Sequence, residues 1–237
     1  MMSKKKENGI DYLDVTYAEN DKPRTDFPFN LAKHIVEKFN LKKNNKILDV
    51  GCGRCEVLTA FGQLGLDISG IDASERIRNF APKDISKLEI LDFSKENFPF
   101  NDNDFDVIFT KSVIEHVHDP THFMKEILRI LKPGGIFISL TPEWASQIKT
   151  FYDDPTHVHP YQPKGLKDLL ILSEFKDADA EIFYYHELLW SSSFCRFVAS
   201  ILRKIISNKT GRTLTKSTGI KLFRWGVERQ ILGYGYK

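Results

Sequence analysis

Short apolar runs alternate along the chain with stretches in which apolar residues recur every three or four positions. The runs predict β-strands, and the helically spaced stretches predict α-helices. Seven runs predict strands, at 46–50, 68–71, 88–91, 105–109, 136–140, 180–185 and 230–236. The main helical stretches are 28–39, 57–64, 120–131 and 166–172. Strands that alternate with helices, and are apolar enough to be buried on both faces, predict an α/β fold doubly wound around a mostly parallel sheet.

Length and composition indicate one globular core. The chain has 237 residues, of which 41% are hydrophobic, and single cores stop growing near roughly 250–300 residues. Four segments are predicted: a polar N-terminal segment or flap at 1–26, the core at 27–187, an insertion at 188–222, and the final strand of the core at 223–237.

The overall charge excludes a strongly basic nucleic-acid-binding domain. Thirty-four Lys and Arg residues against 32 Asp and Glu residues leave a formal net charge of +2, so no nucleic-acid partner is expected. Three cysteines are too few for a disulfide framework. No apolar stretch has the form of a signal peptide or the length to span a bilayer, so a cytoplasmic protein is expected.

Candidate binding residues stand at the carboxyl ends of the first three predicted strands. Gly51 and Gly53 follow the first strand, Asp72 ends the second, and Asp92 and Phe93 follow the third. Glycines let a ligand approach the backbone, a carboxylate accepts ribose hydroxyls, and an acceptor beside an aromatic face suits adenine. Ligands bind parallel sheets at this edge. The structural alternatives are a plain tight turn, a helix N-cap and a core phenylalanine.

These motifs occur in an order that resembles the class I S-adenosylmethionine-dependent methyltransferases, in particular their type 11-like small-molecule subgroup. The matching stretches are ILDVGCG (47–53), GID (70–72), LDF (91–93), FDVI (105–108), SVIEHV (112–117) and LKPGG (131–135), and the resemblance covers about 28–185. It implies a Rossmann-like seven-stranded sheet with an antiparallel last strand, and S-adenosyl-L-methionine as cofactor. The residues that it implies for cofactor binding are Asp49, Gly51, Gly53, Asp72, Ala73, Asp92, Phe93 and Lys111.

Other interpretations use the same glycine-rich turn. Cys52 and Cys55 form a C-x-x-C pair, which is typical of thioredoxin-like redox sites, but such a site leaves Asp72 and Asp92 unexplained. A nicotinamide-binding turn requires a third glycine where the chain has Glu56. A protein that binds the cofactor without catalysis is a further alternative. The family often has a third small residue in place of Cys55, and a thiol is small enough for binding to survive.

Histidines are the candidates for acceptor chemistry. Methyl transfer to a hydroxyl requires a base for its proton, and histidine suits that role near neutral pH. His116 follows the fourth predicted strand, and His157 and His159 follow the fifth, so all three are candidate catalytic residues. Alternation places His157 and His159 on one side of an extended strand. His116 alternatively bonds the loop backbone, and the His-x-His pair is alternatively a metal site lacking its other ligands; no metal is expected.

The loop after the fourth strand bears on the acceptor. Family members that methylate nucleic-acid bases or glutamine amides carry an Asn/Asp-Pro-Pro-aromatic loop there, whereas this chain has TKSV at 110–113. The wider pattern resembles methyltransferases of quinone biosynthesis, and 156–161 is similar to proteins associated with surface-polysaccharide methylation. The predicted function is O-methylation of a small molecule, either a sugar or glycan precursor or a hydrophobic metabolite.

The predicted insertion is basic and amphipathic. The 40 residues between Glu187 and Glu228 contain no acid and carry eight Lys and Arg residues. Within them, apolar residues recur at helical spacing over 194–206. Four interpretations of such a helix are open. It lies in a membrane interface, or it forms a lid over the acceptor, a dimer contact or an ordinary packing contact with the core. Peripheral membrane contact through 194–206 is therefore one expectation.

Overall fold

The computed structural model describes residues 25–93 and 96–237, so the predicted N-terminal segment lies almost entirely outside the described residues. One sheet contains seven strands in this part of the chain: β1 (Lys46–Val50), β2 (Asp67–Asp72), β3 (Lys87–Ile90), β4 (Phe105–Lys111), β5 (Leu131–Pro142), β6 (Lys176–Tyr184) and β7 (Arg229–Tyr236). Each strand predicted from an apolar run is present, because these runs supply the buried positions of the sheet.

The strand order confirms the predicted fold class. It is β3-β2-β1-β4-β5-β7-β6. The strands from β3 to β5 in this order pair in parallel with one another, and β7 lies antiparallel between β5 and β6. The order reverses between β1 and β4, and such a switch point opens a crevice beyond the carboxyl ends of the strands.

Helices pack on both faces of the sheet. The helices of the core are Phe27–Lys38, Glu56–Gln63, Pro120–Ile130, Trp144–Gln147 and Pro163–Leu172, and the 3-10 turns are Glu75–Asn79, Ile114–His116 and Phe151–Asp153. Alternate residues of β4 reach the two apolar layers, with Ile108 in one layer and Val107 and Phe109 in the other. Burial on both faces explains why the parallel strands read as continuous apolar runs.

The fifth strand is longer than its apolar run predicts. It begins at Leu131 rather than Ile136. Phe105 pairs with Leu131 and Val107 with Ile136, so the extra residues on β5 form a bulge. Gly134 lies there with a φ of +77°, a conformation that glycine adopts without steric cost.

The stretch 188–225 is helical throughout most of its length. Its helices are Leu188–Ser191, Ser193–Ile205, Asn208–Thr218 and Leu222–Trp225. The segment predicted as the final strand, 223–237, therefore begins in a helix, and the strand itself starts at Arg229. Among the described helices, none combines the length and the hydrophobicity needed to cross a bilayer.

Candidate active site

The glycine-rich turn after β1 is held against the end of β2. The backbone N–H groups of Gly51 and Cys52 donate to the carbonyl of Ile71, at 2.7 Å and 3.2 Å. Gly51 has a φ of +77° and Gly53 a φ of +50°. A Cβ built on Gly51 would stand 2.3 Å from Cγ2 of Val113, so only glycine fits this position.

Asp72 joins the turn to the end of β2. Its Oδ2 accepts the backbone N–H of Gly53 at 2.8 Å, and its Oδ1 accepts that of Ser74 at 2.9 Å. The backbone N–H of Leu91 donates to the Asp72 carbonyl at 3.0 Å, which brings the end of β3 alongside. The three strand ends singled out from the sequence therefore meet at one edge of the sheet.

Asp92 and Phe93 differ in exposure at the end of the third strand. Asp92 is half-buried, but the Phe93 side chain is only 6% exposed. The Phe93 ring packs in the core, with its centroid 6.1 Å from that of Phe123. The edge of the ring still reaches the glycine-rich turn, since a Cβ built on Gly51 would stand 3.8 Å from Cζ of Phe93. The part of Phe93 in adenine binding stays a prediction.

Two ionisable side chains lie beside the turn, the buried Asp49 and the half-buried Lys111. Burial raises the pKa of Asp49 to about 7, and the charge of Asp72 adds to that rise while Lys111 opposes it. Burial lowers the pKa of Lys111, against the attraction of Glu115, Asp49 and Glu56. Lys111 is therefore electrostatically linked both to the glycine-rich turn and to the loop that follows β4.

The cysteine pair lacks the properties of a redox site. Cys52 and Cys55 are buried free thiols with their sulfurs 3.9 Å apart. The contact with Cys55, together with burial, raises the pKa of Cys52 well above its ordinary value. Reactive cysteines are accessible thiols with lowered pKa values, so the thioredoxin-like alternative does not describe this turn.

His116 is buried and fixed in one tautomer. Its Nδ1 lies 2.9 Å from Oγ1 of Thr156, and that hydroxyl donates its only hydrogen to Oδ1 of Asp154 at 2.5 Å. His116 must therefore donate from Nδ1, which leaves the lone pair on Nε2. Burial and, to a smaller extent, the neighbouring His157 lower the pKa of His116 to about 4, so the ring is neutral near pH 7.

His157 reaches the same place from the loop after β5. Its Nδ1 lies 2.6 Å from the carbonyl of Phe151, and a carbonyl only accepts, so this imidazole also donates from Nδ1. The rings of His157 and His116 have centroids 4.6 Å apart. Two imidazoles with the same tautomer thus stand side by side.

Glu115 is the residue that the sequence analysis missed. Its side chain is 0% exposed, its Oε2 accepts the hydroxyl of Thr141 at 2.9 Å, and its Oε1 lies 4.0 Å from Nε2 of His116. Within the described residues, Oε1 has no hydrogen-bond partner. Burial raises the pKa of Glu115 to about 7. An acid inside the apolar stretch 112–117 was the available sequence signal.

The two loops are joined by backbone hydrogen bonds. The N–H groups of Val158 and His159 donate to the carbonyl of Glu115, at 2.8 Å and 3.1 Å. The His159 ring lies elsewhere, with Nε2 3.5 Å from the carbonyl of His118. The sequence left open which histidine of the His-x-His pair would serve the site, and in the structure it is the His157 ring that lies against His116.

Comparisons with known proteins agree with this geometry. Residues 48–139 match the family described as Methyltransferase domain. The demethylmenaquinone methyltransferase of Staphylococcus saprophyticus is 31% identical over 215 residues, which are 85% of this chain and 83% of that protein. The chain belongs to the class I S-adenosylmethionine-dependent methyltransferases, as the motifs predicted.

Two further similarities are more limited. Sterol 4-C-methyltransferase strm-1 of Caenorhabditis elegans is 34% identical over 117 residues, which cover 46% of this chain and only 34% of that protein. The crystal structure of a SAM dependent methyltransferase from Archaeoglobus fulgidus shares the fold, with a TM-score of 0.63, 21% identity, and coverage of 96% of this chain and 100% of that chain.

Proposed function

We propose that the chain transfers a methyl group from S-adenosylmethionine to a hydroxyl oxygen of a small molecule, either a hydrophobic metabolite or a glycan precursor. The observation that carries this proposal is the cluster of Glu115, His116 and His157 beyond the ends of β4 and β5. It lies at the same edge of the sheet as the turn bound to Asp72, and Lys111 interacts with acids of both groups.

The residues at the ends of β1 to β3 fit the cofactor. A carboxylate has about four acceptor sites, so Asp72 suits backbone donors and ribose hydroxyls together, and Ala73 follows it. Asp92 suits the amino group of adenine, and the turn at Gly51 and Gly53 brings backbone close to the ligand. When bound, S-adenosylmethionine supplies a methyl group on a positively charged sulfur, which is already activated for displacement.

The cluster beyond β4 and β5 suits a hydroxyl that must lose its proton. The Nε2 lone pairs of His116 and His157 and the carboxylate of Glu115 are all hydrogen-bond acceptors. Because these groups are held in fixed orientations, they can align the hydroxyl oxygen that receives the methyl group. Alignment of the reacting atoms accounts for a large part of the rate enhancement in such a displacement. The His159 ring, which lies beside the His118 carbonyl, is not part of this cluster.

A methyl-transfer assay with His157→Gln tests this proposal. Using a labelled donor with hydroxylated quinones, sterols and sugar nucleotides, we expect turnover of the preferred acceptor to fall by about 10²–10⁴-fold, the usual contribution of a proton-transfer group. Affinity for S-adenosylhomocysteine should be unchanged. The matched control is His118→Gln, since His118 lies in the same loop pair and is exposed.

Two outcomes would contradict it. If His157→Gln turned over the acceptor at the wild-type rate, His157 and its cluster would have no part in the reaction. Tight S-adenosylhomocysteine binding without transfer to any of these acceptors would favour the alternative of a protein that binds the cofactor without catalysis.

Membrane contact through the helix Ser193–Ile205 is a second part of the proposal. The helix presents one apolar row to solvent, and the exposed fractions are 73% for Phe194, 61% for Phe197, 43% for Ile201 and 76% for Ile205. The stretch 188–227 contains no acid. An exposed apolar row within a basic segment suits an anionic lipid surface.

The position of the insertion links such a surface to the acceptor site. Asn208 donates from its side chain to the carbonyl of Ser146, and Arg212 pairs with Asp153 at 3.5 Å. Both partners belong to the segment between β5 and His157. A hydrophobic acceptor would therefore reach the cluster from the side on which the basic insertion lies.

Flotation with liposomes checks the membrane proposal. Wild-type protein should float with anionic vesicles at low salt and less at high salt, because screening weakens attraction between charges. The double variant Phe197→Glu, Ile201→Glu should stay unbound. Leu172→Glu is the matched control, since Leu172 is 83% exposed on a helix outside the insertion. If the double variant and the wild-type protein floated equally, the proposed membrane contact would be contradicted.

A further inference from the structure

We infer that Glu115, His116 and His157 bind a divalent first-row transition-metal ion. Each side chain offers one ligand atom, and these atoms all lie within 4.8 Å of one another. Ligand atoms held at about 2.0–2.2 Å by one tetrahedral ion stand about 3.3–3.6 Å apart. Binding therefore requires the three atoms to draw together by at most about 1.5 Å.

The hydrogen bonds that His116 and His157 make through Nδ1 are typical of metal-binding histidines. A metal-binding imidazole usually donates its other ring N–H to a carbonyl or a carboxylate system, which fixes the tautomer. His157 donates to the Phe151 carbonyl, and His116 donates to Thr156, which is held by Asp154. Both rings thus direct their lone pairs from Nε2, the nitrogen that a metal would take.

Buried polar atoms beside the histidines indicate a ligand. The Oε1 atom of Glu115 and the hydroxyl of Tyr161 are buried, and neither has a hydrogen-bond partner in 25–93 and 96–237. Burial and the charge of Glu115 raise the pKa of Tyr161. Leaving such groups unsatisfied costs about 1–3 kcal/mol each, and more for a charged group. A bound cation would remove this penalty for the carboxylate.

The charges around the cluster are compatible with a dication. Glu115 contributes a carboxylate, and Asp154 stands behind Thr156 as a second one. Lys111 is the opposing positive charge, and it is shared with Asp49 and Glu56. Two imidazoles with one carboxylate favour Zn²⁺, Fe²⁺ or Co²⁺ over Mg²⁺ or Ca²⁺, which prefer oxygen ligands.

The site has the form of a catalytic metal centre. Three protein ligands leave positions open for water or substrate, whereas structural zinc sites use four. No metal was expected from the sequence, because the nearby acids Asp153 and Asp154 could equally orient a catalytic imidazole. The structure adds Glu115 and His116 to His157 as possible ligands. The role of the ion rests on the proposed function: it would occupy the Nε2 lone pairs of both histidines and, in their place, would hold the acceptor oxygen and lower the pKa of its hydroxyl, whose proton would pass to water.

Metal titration of the full, tag-free chain tests the inference. After treatment with a chelator, wild-type protein should bind one Co²⁺ with visible d–d bands, and one Zn²⁺ by calorimetry. His157→Gln and Glu115→Gln should each lose more than about 100-fold in affinity, and Thr156→Val about 10–100-fold, since partners behind metal ligands contribute that much. His118→Gln is the control and should bind as wild type does.

Folding and function are monitored separately. Thermal stabilisation by S-adenosylhomocysteine reports that each variant is folded. If wild-type protein that passes this check binds neither ion, or His157→Gln binds with wild-type affinity, the inference is wrong. A sulfur-to-cobalt charge-transfer band would place the ion at Cys52 and Cys55 and equally overturn it. If the metal-free chain transferred the methyl group, the ion would have no role in the reaction, and the proposed function would be unaffected.

Discussion

Replacing Asp72 by alanine should weaken binding of S-adenosylhomocysteine by more than about 100-fold. The substitution removes the acceptor proposed for both ribose hydroxyls, and hydrogen bonds to a charged group contribute about 1.5–3 kcal/mol each. It also releases the backbone N–H groups of Gly53 and Ser74, which Asp72 holds at 2.8 Å and 2.9 Å. Isothermal calorimetry with the purified chain measures the effect.

Asp67→Ala provides the matched control for Asp72. Asp67 is the first residue of β2, at the opposite end of the strand, where it accepts the hydroxyl of Ser86. The substitution removes a carboxylate from the same strand but leaves the crevice intact. The affinity for S-adenosylhomocysteine should therefore stay within a few-fold of the wild-type value. Wild-type affinity in Asp72→Ala would show that the ends of β1 and β2 do not hold the ribose.

The fold was predictable because its strands are marked by burial. Parallel strands covered on both faces need continuous apolar residues, and β1 has the same bounds in the sequence pattern and in the structure. The start of β5 was missed because a bulge has no such signature. Residues 132–135 form no apolar run, and they extend the strand because β4 pairs with it on both sides of the bulge.

The site was predictable only where it follows strand ends. Asp72 and the glycine turn lie at fixed places in the strand–helix pattern, so topology brings them together. The histidine cluster depends instead on contacts between distant loops, such as the bonds from Val158 and His159 to Glu115. Neither periodicity nor spacing shows which of His157 and His159 turns toward His116, or that Glu115 is buried beside it.

Gly51→Ala should destabilise the fold by about 2–5 kcal/mol and abolish cofactor binding. A residue with a Cβ at φ +77° costs roughly 1–2 kcal/mol. The new Cβ would also stand 2.3 Å from Cγ2 of Val113, a buried and stiff side chain, and overpacking of this kind costs about 1–3 kcal/mol. Urea unfolding and S-adenosylhomocysteine calorimetry measure the two effects.

Gly134→Ala separates the backbone cost from the steric clash. Gly134 has the same φ of +77°, but a Cβ there would have no heavy atom within 4 Å. This variant should therefore lose only about 1–2 kcal/mol. Adding Val113→Ala to Gly51→Ala should restore part of the stability, since it removes the clashing methyl group. The proposed steric clash would be contradicted if Gly51→Ala and Gly134→Ala lost the same free energy of unfolding and Val113→Ala restored none of it. The turn at Gly51 would then have room for a side chain beside Val113.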